Sequence, residues 1–371
     1  MADSDISFMK LALREARKGL GRTSPNPCVG AVVVKNGHLI AKGYHRKAGT
    51  PHAEVHALKA AGDDARDATL YVTLEPCNHT GRTPPCTHAI VKSGISRVVI
   101  GMVDPNPLVA GSGYDFLVTQ NIEVKRGVLT EECQEINFPF IKHITTGTPW
   151  VILKAGCSLD GRIAVSSGKS GWITNEVSRR AVHRMRDKVD AILIGIGTAL
   201  QDDPSLTTRL PGRKSQDPLR VILDSHLRLT PGAKMLTQYS DNETWIFCCP
   251  DYDRSKAALL EQAGARIIPV ECNNAGSVSL PAVLRKLGES QKNSVLVEGG
   301  SHIHGSFLRE DLVDQVSLFI APLFLGSDAI PVVDKMGIDI VQNGKRFSIT
   351  RTRRYGDDVL FEGVFAREVL S

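Results

Sequence analysis

Apolar, β-rich runs alternate with helix-patterned segments almost from end to end of this chain. A chain that alternates in this way folds as helices layered on sheets, the α/β class. The alternation comes in two series. In the first, residues 5–19 carry Phe8, Leu11, Ala12 and Ala16 at helical spacing, and "VGAVVVKNGHLIAKGY" predicts two strands turning at Asn36-Gly37. "HAEVHALKAAG" predicts a helix begun by Pro51 and ended by Gly62. Strand "ATLYVTLE", a proline-rich loop, a helix up to Gly94 and strand "SRVVIGMVD" follow, and a helical stretch over 128–149 breaks at "TTGTP". We read that break as a linker.

The second series starts at Trp150. Its apolar runs are "WVILKAG", "AILIGIG", "LRVILDS", "ETWIFCC", "ARIIPVE" and "SVLVEGG", with helical patterns at 176–187, 253–264 and 280–288 between some of them. That order suits a mostly parallel sheet. The last part turns to strands, "QVSLFIAP", "RFSITRTRRYG" and "DVLFEGVFA". Two unlike α/β domains, 1–146 and 147–371, are therefore expected, in keeping with a length of 371 residues.

Composition narrows the function. The net charge of +5 is spread evenly, and aromatics make up 5%. Neither feature supports nucleic-acid or membrane binding. The first twenty residues lack the apolar stretch of a secretory signal, and no apolar run is long enough to span a bilayer. Eight cysteines in such a chain suggest reduced thiols and a cytoplasmic address. Neighbouring cysteines then become candidates for metal binding or catalysis rather than disulfides.

The loop "EPCNHTGRTPPC" and the upstream "PHAE" supply such a group. Zinc deaminases of bases use one His and two Cys ligands, and a Glu beside the His, not itself a ligand, moves the proton. Hydrolysis at a ring carbon needs an activated water, and Zn²⁺ lowers the pKa of bound water to roughly 7. His52, Cys77 and Cys86 are the candidate ligands for one zinc per chain, with Glu54 as the proton carrier. Cys86 follows Pro84-Pro85, a helix start whose dipole would favour a thiolate there. The general deaminase pattern is P-C-x-x-C, and here the second cysteine comes later. His56, His79 and His88 are rival ligands by composition but lack the Glu partner. A structural zinc with a fourth ligand drawn from them is the competing arrangement.

"HAEVHAL", "VTLEPCNHTGRTPPC", "DPNPLVAGSG" and "PNPCVGAVVV" resemble the deaminase half of the bifunctional riboflavin-biosynthesis deaminase/reductases, where the longer cysteine spacing is normal. The resemblance implies a cytidine-deaminase-like α/β/α sandwich. It also implies that Asn26 contacts the base. Arg82 could meet substrate phosphate, and Cys28 reads as packing.

The second half has no G-x-G-x-x-G, so a Rossmann site is not supported. Instead "LVEGGSHIHGSFL" puts Glu298-Gly299-Gly300 between a strand and a helix, where backbone N–H groups can meet an anion. "LIGIGTALQDDPSLTTR" reads as a second glycine-bearing loop, and "SLDGRIA" and "SGKSGWIT" lie near the first strand. All four resemble the reductase half of the same family, which implies a dihydrofolate-reductase-like α/β domain using NADPH. By that resemblance Gly156, Trp172, Thr198, Asp202, Ser225, Gly300, Ser301, His302, Ile303, His304, Gly305 and Ser306 would line the NADPH site. Ser170, Arg186, Leu206, Arg209 and Glu298 would hold substrate, with the two arginines as clamps on a ribose phosphate.

The family implies two consecutive steps. 2,5-Diamino-6-ribosylamino-4(3H)-pyrimidinone 5′-phosphate is first deaminated, and its ribosyl group is then reduced to ribityl with NADPH. It also implies a homodimer through the reductase domain. Two other readings predict different things. A nucleic-acid base deaminase needs a basic, aromatic groove. A non-enzymatic protein with a structural zinc needs a fourth protein ligand and no Glu54.

Overall fold

The computed structural model describes residues 2–79, 84–106, 109–167, 171–212 and 214–365. Arg82 and Ser170 lie outside them. The chain divides into two compact units, Met1–Gly147 and Thr148–Ser371.

The first unit begins with α1 (Ala2–Ala16) and the hairpin β1 (Gly30–Lys35) and β2 (His38–Tyr44). Asn36 and Gly37 at its turn both have positive φ, 53° and 76°, as a two-residue type I′ turn requires. Then come α2 (Ala53–Ala61), β3 (Thr69–Leu74), α3 (Cys86–Lys92), β4 (Arg97–Met102), α4 (Ser112–Thr119), β5 (Glu123–Arg126), α5 (Thr130–Glu135) and α6 (Phe138–Thr146). The strands form one sheet in the order β2-β1-β3-β4-β5. β1 is antiparallel to both neighbours, and β3, β4 and β5 run parallel.

Two glycines show how the layers stack. A Cβ on Gly30 would lie 2.0 Å from the Ala12 carbonyl oxygen, and one on Gly43 would lie 2.5 Å from that of Ala53. Gly43 pairs with Ala31, the neighbour of Gly30, so the two glycines face opposite sides of the sheet. α1 therefore covers one face and α2 the other, giving the expected α/β/α sandwich. Val32, Val33, Leu70, Val72, Val99 and Ile100 are fully buried between the layers. Buried Asp5 of α1 accepts hydrogen bonds from Tyr71, Arg97 and Lys125, which ties the helix to three strands.

The second unit contains β6 (Trp150–Ser158), β7 (Arg162–Ala164), α7 (Glu176–Arg186), β8 (Ala191–Gly195), α8 (Ile196–Asp202), β9 (Leu219–Leu223), α9 (Lys234–Thr237) and β10 (Thr244–Cys248). It continues through α10 (Arg254–Gln262), β11 (Ala265–Pro269), α11 (Leu280–Glu289), β12 (Ser294–Val297), α12 (Ser301–Arg309) and β13 (Gln315–Ala321). It closes with β14 (Ile330–Pro331), β15 (Ser348–Tyr355) and β16 (Asp358–Val364). The main sheet has the order β11-β10-β9-β8-β12-β6-β13-β16-β15, and β7 pairs separately with β14. It is parallel from β11 to β13 and ends in two antiparallel strands.

From β8 the chain steps outward through β9, β10 and β11, then returns to place β12 on the other side of β8. Loops leaving the carboxyl ends of β8 and β12 therefore diverge. A crevice at such a reversal is where open α/β sheets bind ligands.

Two expectations are corrected. The segment read as a glycine loop after β8 is a helix, α8, from Ile196 directly after the strand to Asp202. Gly195 is there for packing, since a Cβ would lie 2.7 Å from Ile303. The cysteines are not all reduced thiols: Cys249 and Cys272 form a disulfide, with Cα atoms 5.6 Å apart. β10 and β11 run side by side, with Cys248 opposite Pro269, so residues just past their ends meet.

Candidate functional site

Three elements of the first unit bring one residue each to a common point. His52 is the N-cap of α2, Cys77 follows the end of β3, and Cys86 opens α3. His52 Nδ1 lies 3.2 Å from Cys86 Sγ and 3.6 Å from Cys77 Sγ. All three ligand atoms lie within 4.8 Å of one another. A tetrahedral zinc with Zn–N of about 2.0 Å and Zn–S of about 2.3 Å spaces its ligands about 3.5 Å apart, so the set fits that ion. One imidazole and two sulfurs are also the soft donors zinc takes. Among the described residues no other group of this kind forms, and His56, His79 and His88 stay outside it. His88 instead packs its ring on Phe116.

The helix start acts on the other cysteine from the one expected. The Cys86 amide points at Cys77 Sγ, 3.4 Å away. A hydrogen bond from the Cys86 thiol, with His52 next, pulls Cys77 down to about 4. Cys86 is pushed up by Cys77 and by burial. The Cys77 hydrogen bond raises His52, and burial of the Glu54 carboxyl raises that group as well.

Glu54 is 3% exposed, and its Oε2 has no hydrogen-bond partner. A buried carboxyl atom left unbonded beside a ligand set is suited to taking and giving a proton.

Asn26 reaches the same neighbourhood through a residue the sequence reading passed over. His45 Nδ1 lies 3.2 Å from the Pro51 carbonyl oxygen, which can only accept, so Nδ1 carries the proton. Burial lowers the His45 pKa and keeps the ring neutral. Nε2 therefore accepts from Asn26 Nδ2 at 3.1 Å, which leaves Oδ1 as the amide's acceptor. The His45 ring also meets His52 edge-on, with centroids 5.3 Å apart. Cys28 is buried, as expected of a packing residue.

Glu75 was likewise unassigned. Its Oε1 accepts the amides of Gly113 and Tyr114, and its Oε2 those of Asp104 and Gly111. One buried carboxylate thus holds both ends of the segment 104–114 beside the ligand loop. Only the glutamate next to Pro76-Cys77 hinted at this.

In the second unit a cleft of about 890 Å³ lies at the carboxyl ends of the parallel strands. Of the residues expected around NADPH, Gly156, Thr198, Asp202, Ser225, Gly300, Ser301, His302, Ile303, His304 and Ser306 line it, together with Glu298. Trp172 does not. It is 78% exposed, and Arg179 stacks on its ring at 4.5 Å. Gly305 faces Asp334 and Arg309 instead.

Gly300 caps α12 without a side-chain bond, so the helix presents its first amides uncapped. The Ser301 hydroxyl and His304 Nε2 are buried there without partners. These groups fit a phosphorylated coenzyme, whose oxygens take helix N-terminal N–H and hydroxyl donors. His304 Nδ1 bonds the Val332 carbonyl at 2.8 Å, and burial depresses the ring to about 4.

The expected substrate residues divide. Arg186 does not present an open fork. Its Nε and Nη2 donate to the two carboxylate oxygens of Glu298, each at 2.9 Å, and Nη1 donates to the Thr207 carbonyl. A carboxylate this buried needs a bidentate partner. Lys154 adds a second cation to Glu298 at 3.4 Å. The Leu206 side chain is buried in the core around β8 and β9. Only its backbone, in the left-handed region at φ 53°, is left to face a ligand. Arg209 is exposed, and its amide donates to His183 Nδ1 at 3.2 Å. Asp160, in the "SLDGRIA" turn, accepts the amides of Leu325 and Gly326.

Comparison with known proteins accounts for both halves. Residues 2–102 match the family model of the cytidine and deoxycytidylate deaminase zinc-binding region, and residues 149–361 match that of the RibD C-terminal domain. The riboflavin biosynthesis protein RibD of Escherichia coli K12 is 40% identical over 366 residues, covering 96% of this chain and 98% of its own length. RibD of Acinetobacter baumannii (form 1) superposes with a TM-score of 0.88 at 37% identity, over 99% of this chain and 100% of that one. A Thermotoga maritima diaminohydroxyphosphoribosylaminopyrimidine deaminase/5-amino-6-(5-phosphoribosylamino)uracil reductase superposes with a TM-score of 0.86 at 38% identity, over 98% and 99%.

Proposed function

Because the chain belongs to the RibD family of bifunctional riboflavin-biosynthesis deaminase/reductases, we propose that residues 1–146 and 147–371 catalyse two consecutive steps on one phosphorylated pyrimidine. The first converts 2,5-diamino-6-ribosylamino-4(3H)-pyrimidinone 5′-phosphate to the uracil. The second reduces its ribosyl group, yielding 5-amino-6-ribitylamino-uracil 5′-phosphate. The observation that carries this reading is the convergence of His52, Cys77 and Cys86 beside the unbonded Oε2 of Glu54.

His52, Cys77 and Cys86 would hold the zinc. When bound, zinc supplies the Lewis acid that makes water a nucleophile near neutral pH. Water adds to the amino-bearing ring carbon and ammonia departs. Glu54 Oε2 takes the proton from the water and passes it to the leaving nitrogen. Asn26, oriented by His45, offers its Oδ1 to the base.

In the second unit NADPH supplies the hydride. The amides of α12 and the Ser301 hydroxyl would receive its phosphates, and the β8 and β12 ends would hold it. Glu298, held by Arg186 and Lys154, addresses the sugar hydroxyls, and Arg209 and the surplus positive charge favour the substrate phosphate. The chain's part in hydride transfer is placement and exclusion of water.

The proposal includes a cytoplasmic address, which suits six free thiols. Among the described residues no helix is long and apolar enough to cross a membrane. It also includes a homodimer through the second unit, whose edge strand β15 is exposed along nearly its whole length.

The test is a metal count and an ammonia-release assay on wild type and Glu54→Ala. One zinc per chain in both, with ammonia from wild type alone, supports the assignment. Undiminished ammonia release from the variant removes Glu54 from the mechanism, and no release from either leaves the zinc structural.

A further inference from the structure

We propose that Cys249 and Cys272 form a thiol–disulfide site that sets how tightly the second unit holds its coenzyme. The inference rests on the reading of the β8/β12 cleft as the NADPH site. Cys249 directly follows β10 and is buried, whereas Cys272 lies on the exposed loop between β11 and α11. That loop closes on itself. Cys272 bridges Val278, the Asn273 amide donates to the Ser277 carbonyl at 2.7 Å, and the Asn273 side chain accepts two further loop amides. It then sends Asn273, Ala275, Ser277 and Val278 into the cleft wall.

A disulfide, a hydrogen bond and a close contact anchor this closed loop to the sheet end. The disulfide is covalent. Cys249 Sγ contacts the Gly276 carbonyl oxygen at 3.5 Å, and the Val278 amide donates to Ser225 Oγ at 3.1 Å. Ser225 itself lines the cleft, and its carbonyl accepts the Cys249 amide at 3.2 Å. The sulfur bridge and a coenzyme-lining hydroxyl thus hold one piece of wall from two sides. Breaking the bridge removes the covalent anchor of the outer part of the loop and leaves the buried Val278 and its hydrogen bond to Ser225, which sits in the ligand's own path.

The chemistry is ordinary exchange with a small dithiol. A reductant thiolate attacks the exposed Cys272 sulfur and forms a mixed disulfide, and Cys249 leaves as a thiolate that takes a proton. The reductant's second thiol then attacks its own sulfur, which releases the Cys272 thiolate and a cyclic disulfide. Two electrons and two protons pass to the protein, and an oxidised dithiol reverses both steps. In a cytoplasmic protein a disulfide of this kind is expected to be transient and responsive rather than structural.

The experiment titrates NADPH into full-length protein by calorimetry, after oxidised or reduced dithiothreitol, with peptide mapping of the Cys249–Cys272 cross-link. Reduction is expected to weaken NADPH binding roughly five- to tenfold, since a loosened wall must be ordered again on binding. Cys272→Ser and Cys272→Ala should bind like the reduced protein and ignore the redox treatment. No cross-link after oxidation, an unchanged affinity, or a variant that still responds to reductant would overturn the proposal. Gly300→Glu, which puts a carboxylate at the start of α12, separates the two readings. Unaltered NADPH binding in that variant means the cleft is misassigned. Lost binding in Gly300→Glu alongside redox-blind wild type means the latch alone is wrong.

Discussion

Arg186 and Glu298 meet side-on across 112 residues of sequence, with two parallel hydrogen bonds of 2.9 Å between guanidinium and carboxylate. Burial pushes Glu298 up, but Arg186 and then Lys154 outweigh it and hold the carboxyl well below the usual range. The two cations keep the Glu298 carboxyl ionised at the cleft wall and fix its direction, while the cluster as a whole keeps one surplus positive charge.

Removing Arg186 leaves Glu298 with Lys154 as its remaining cation. Arg186→Ala should therefore destabilise the second unit by somewhat less than the about 3–5 kcal/mol that a fully uncompensated buried charge costs. Arg186→Lys keeps the charge but loses the fork, and it should fall between. All three tryptophans, Trp150, Trp172 and Trp245, lie in this unit, so their fluorescence during urea unfolding of the whole chain reports it alone. An unfolding midpoint equal to wild type for Arg186→Ala would rule out a structural pair.

Acid should loosen the same unit. Burial, with Arg186 and Arg209 next, depresses His183 to about 4, and burial depresses His304 to about 4 against the opposing Val332 bond. His304 also faces Lys154 and Glu298, whose charges act in opposite directions. Both folded values lie below the ordinary 6.5, so the unfolded chain binds more protons between pH 6.5 and 4. Stability is complete above that window and drains away as pH falls through it, at most about 1.4 kcal/mol per pH unit for each group. The tryptophan-detected midpoint should drop from pH 7 to 4, and His304→Asn should flatten the slope. An equally steep slope in the variant would assign the effect elsewhere.

Glu75 should act on deamination without touching zinc. Glu75→Gln replaces an acceptor of four amides with a group that opposes part of them with its own donor. We expect a loss of about 2–3 kcal/mol of local stability and roughly tenfold lower deaminase kcat/KM. Zinc content and the reductase rate should be normal. Zinc loss in step with activity would mean that Glu75 supports the ligands rather than the 104–114 segment.

Arg228 should separate the two nicotinamide coenzymes. It stands at the Ser225 end of the cleft, 57% exposed, with its Nε 3.9 Å from Asp224. Lys154 is paired with Glu298, and Arg309 donates to the Lys335 carbonyl and to Ser306. Arg228→Ala should weaken NADPH binding about tenfold, as the loss of a charge-assisted phosphate contact implies, and leave NADH unchanged. Equal losses for both coenzymes would remove Arg228 as the 2′-phosphate contact.

Much of the metal centre was legible in the chain, because its parts are local. His52-x-Glu54 lies in one helix start, and Pro76-Cys77 and Pro84-Pro85-Cys86 bound one loop. The Glu298-Gly299-Gly300 turn was legible for the same reason, as a strand followed at once by a helix. The hydrogen bond between the two cysteines was not. A helix start should favour the thiolate of its own first residue, yet the Cys86 amide points across the loop to Cys77. His45 and Glu75 also escaped notice, since their partners lie on other elements.

By itself the sequence determined the order of two α/β domains, the candidate ligand group of His52, Cys77 and Cys86 with the Glu54 carboxyl beside it, and the backbone turn at α12. Each of these follows from side-chain chemistry and spacing within a few residues. The tertiary structure alone decided that Arg186 faces Glu298 and that the Leu206 side chain is buried in the core. It alone also showed that Cys249 meets Cys272 and that Glu75 binds 104–114. Those contacts depend on strand order. A return from β11 to β12 past β8 joins residues that no local pattern relates, and buried charges and thiols then take the partners that the closed chain puts within reach.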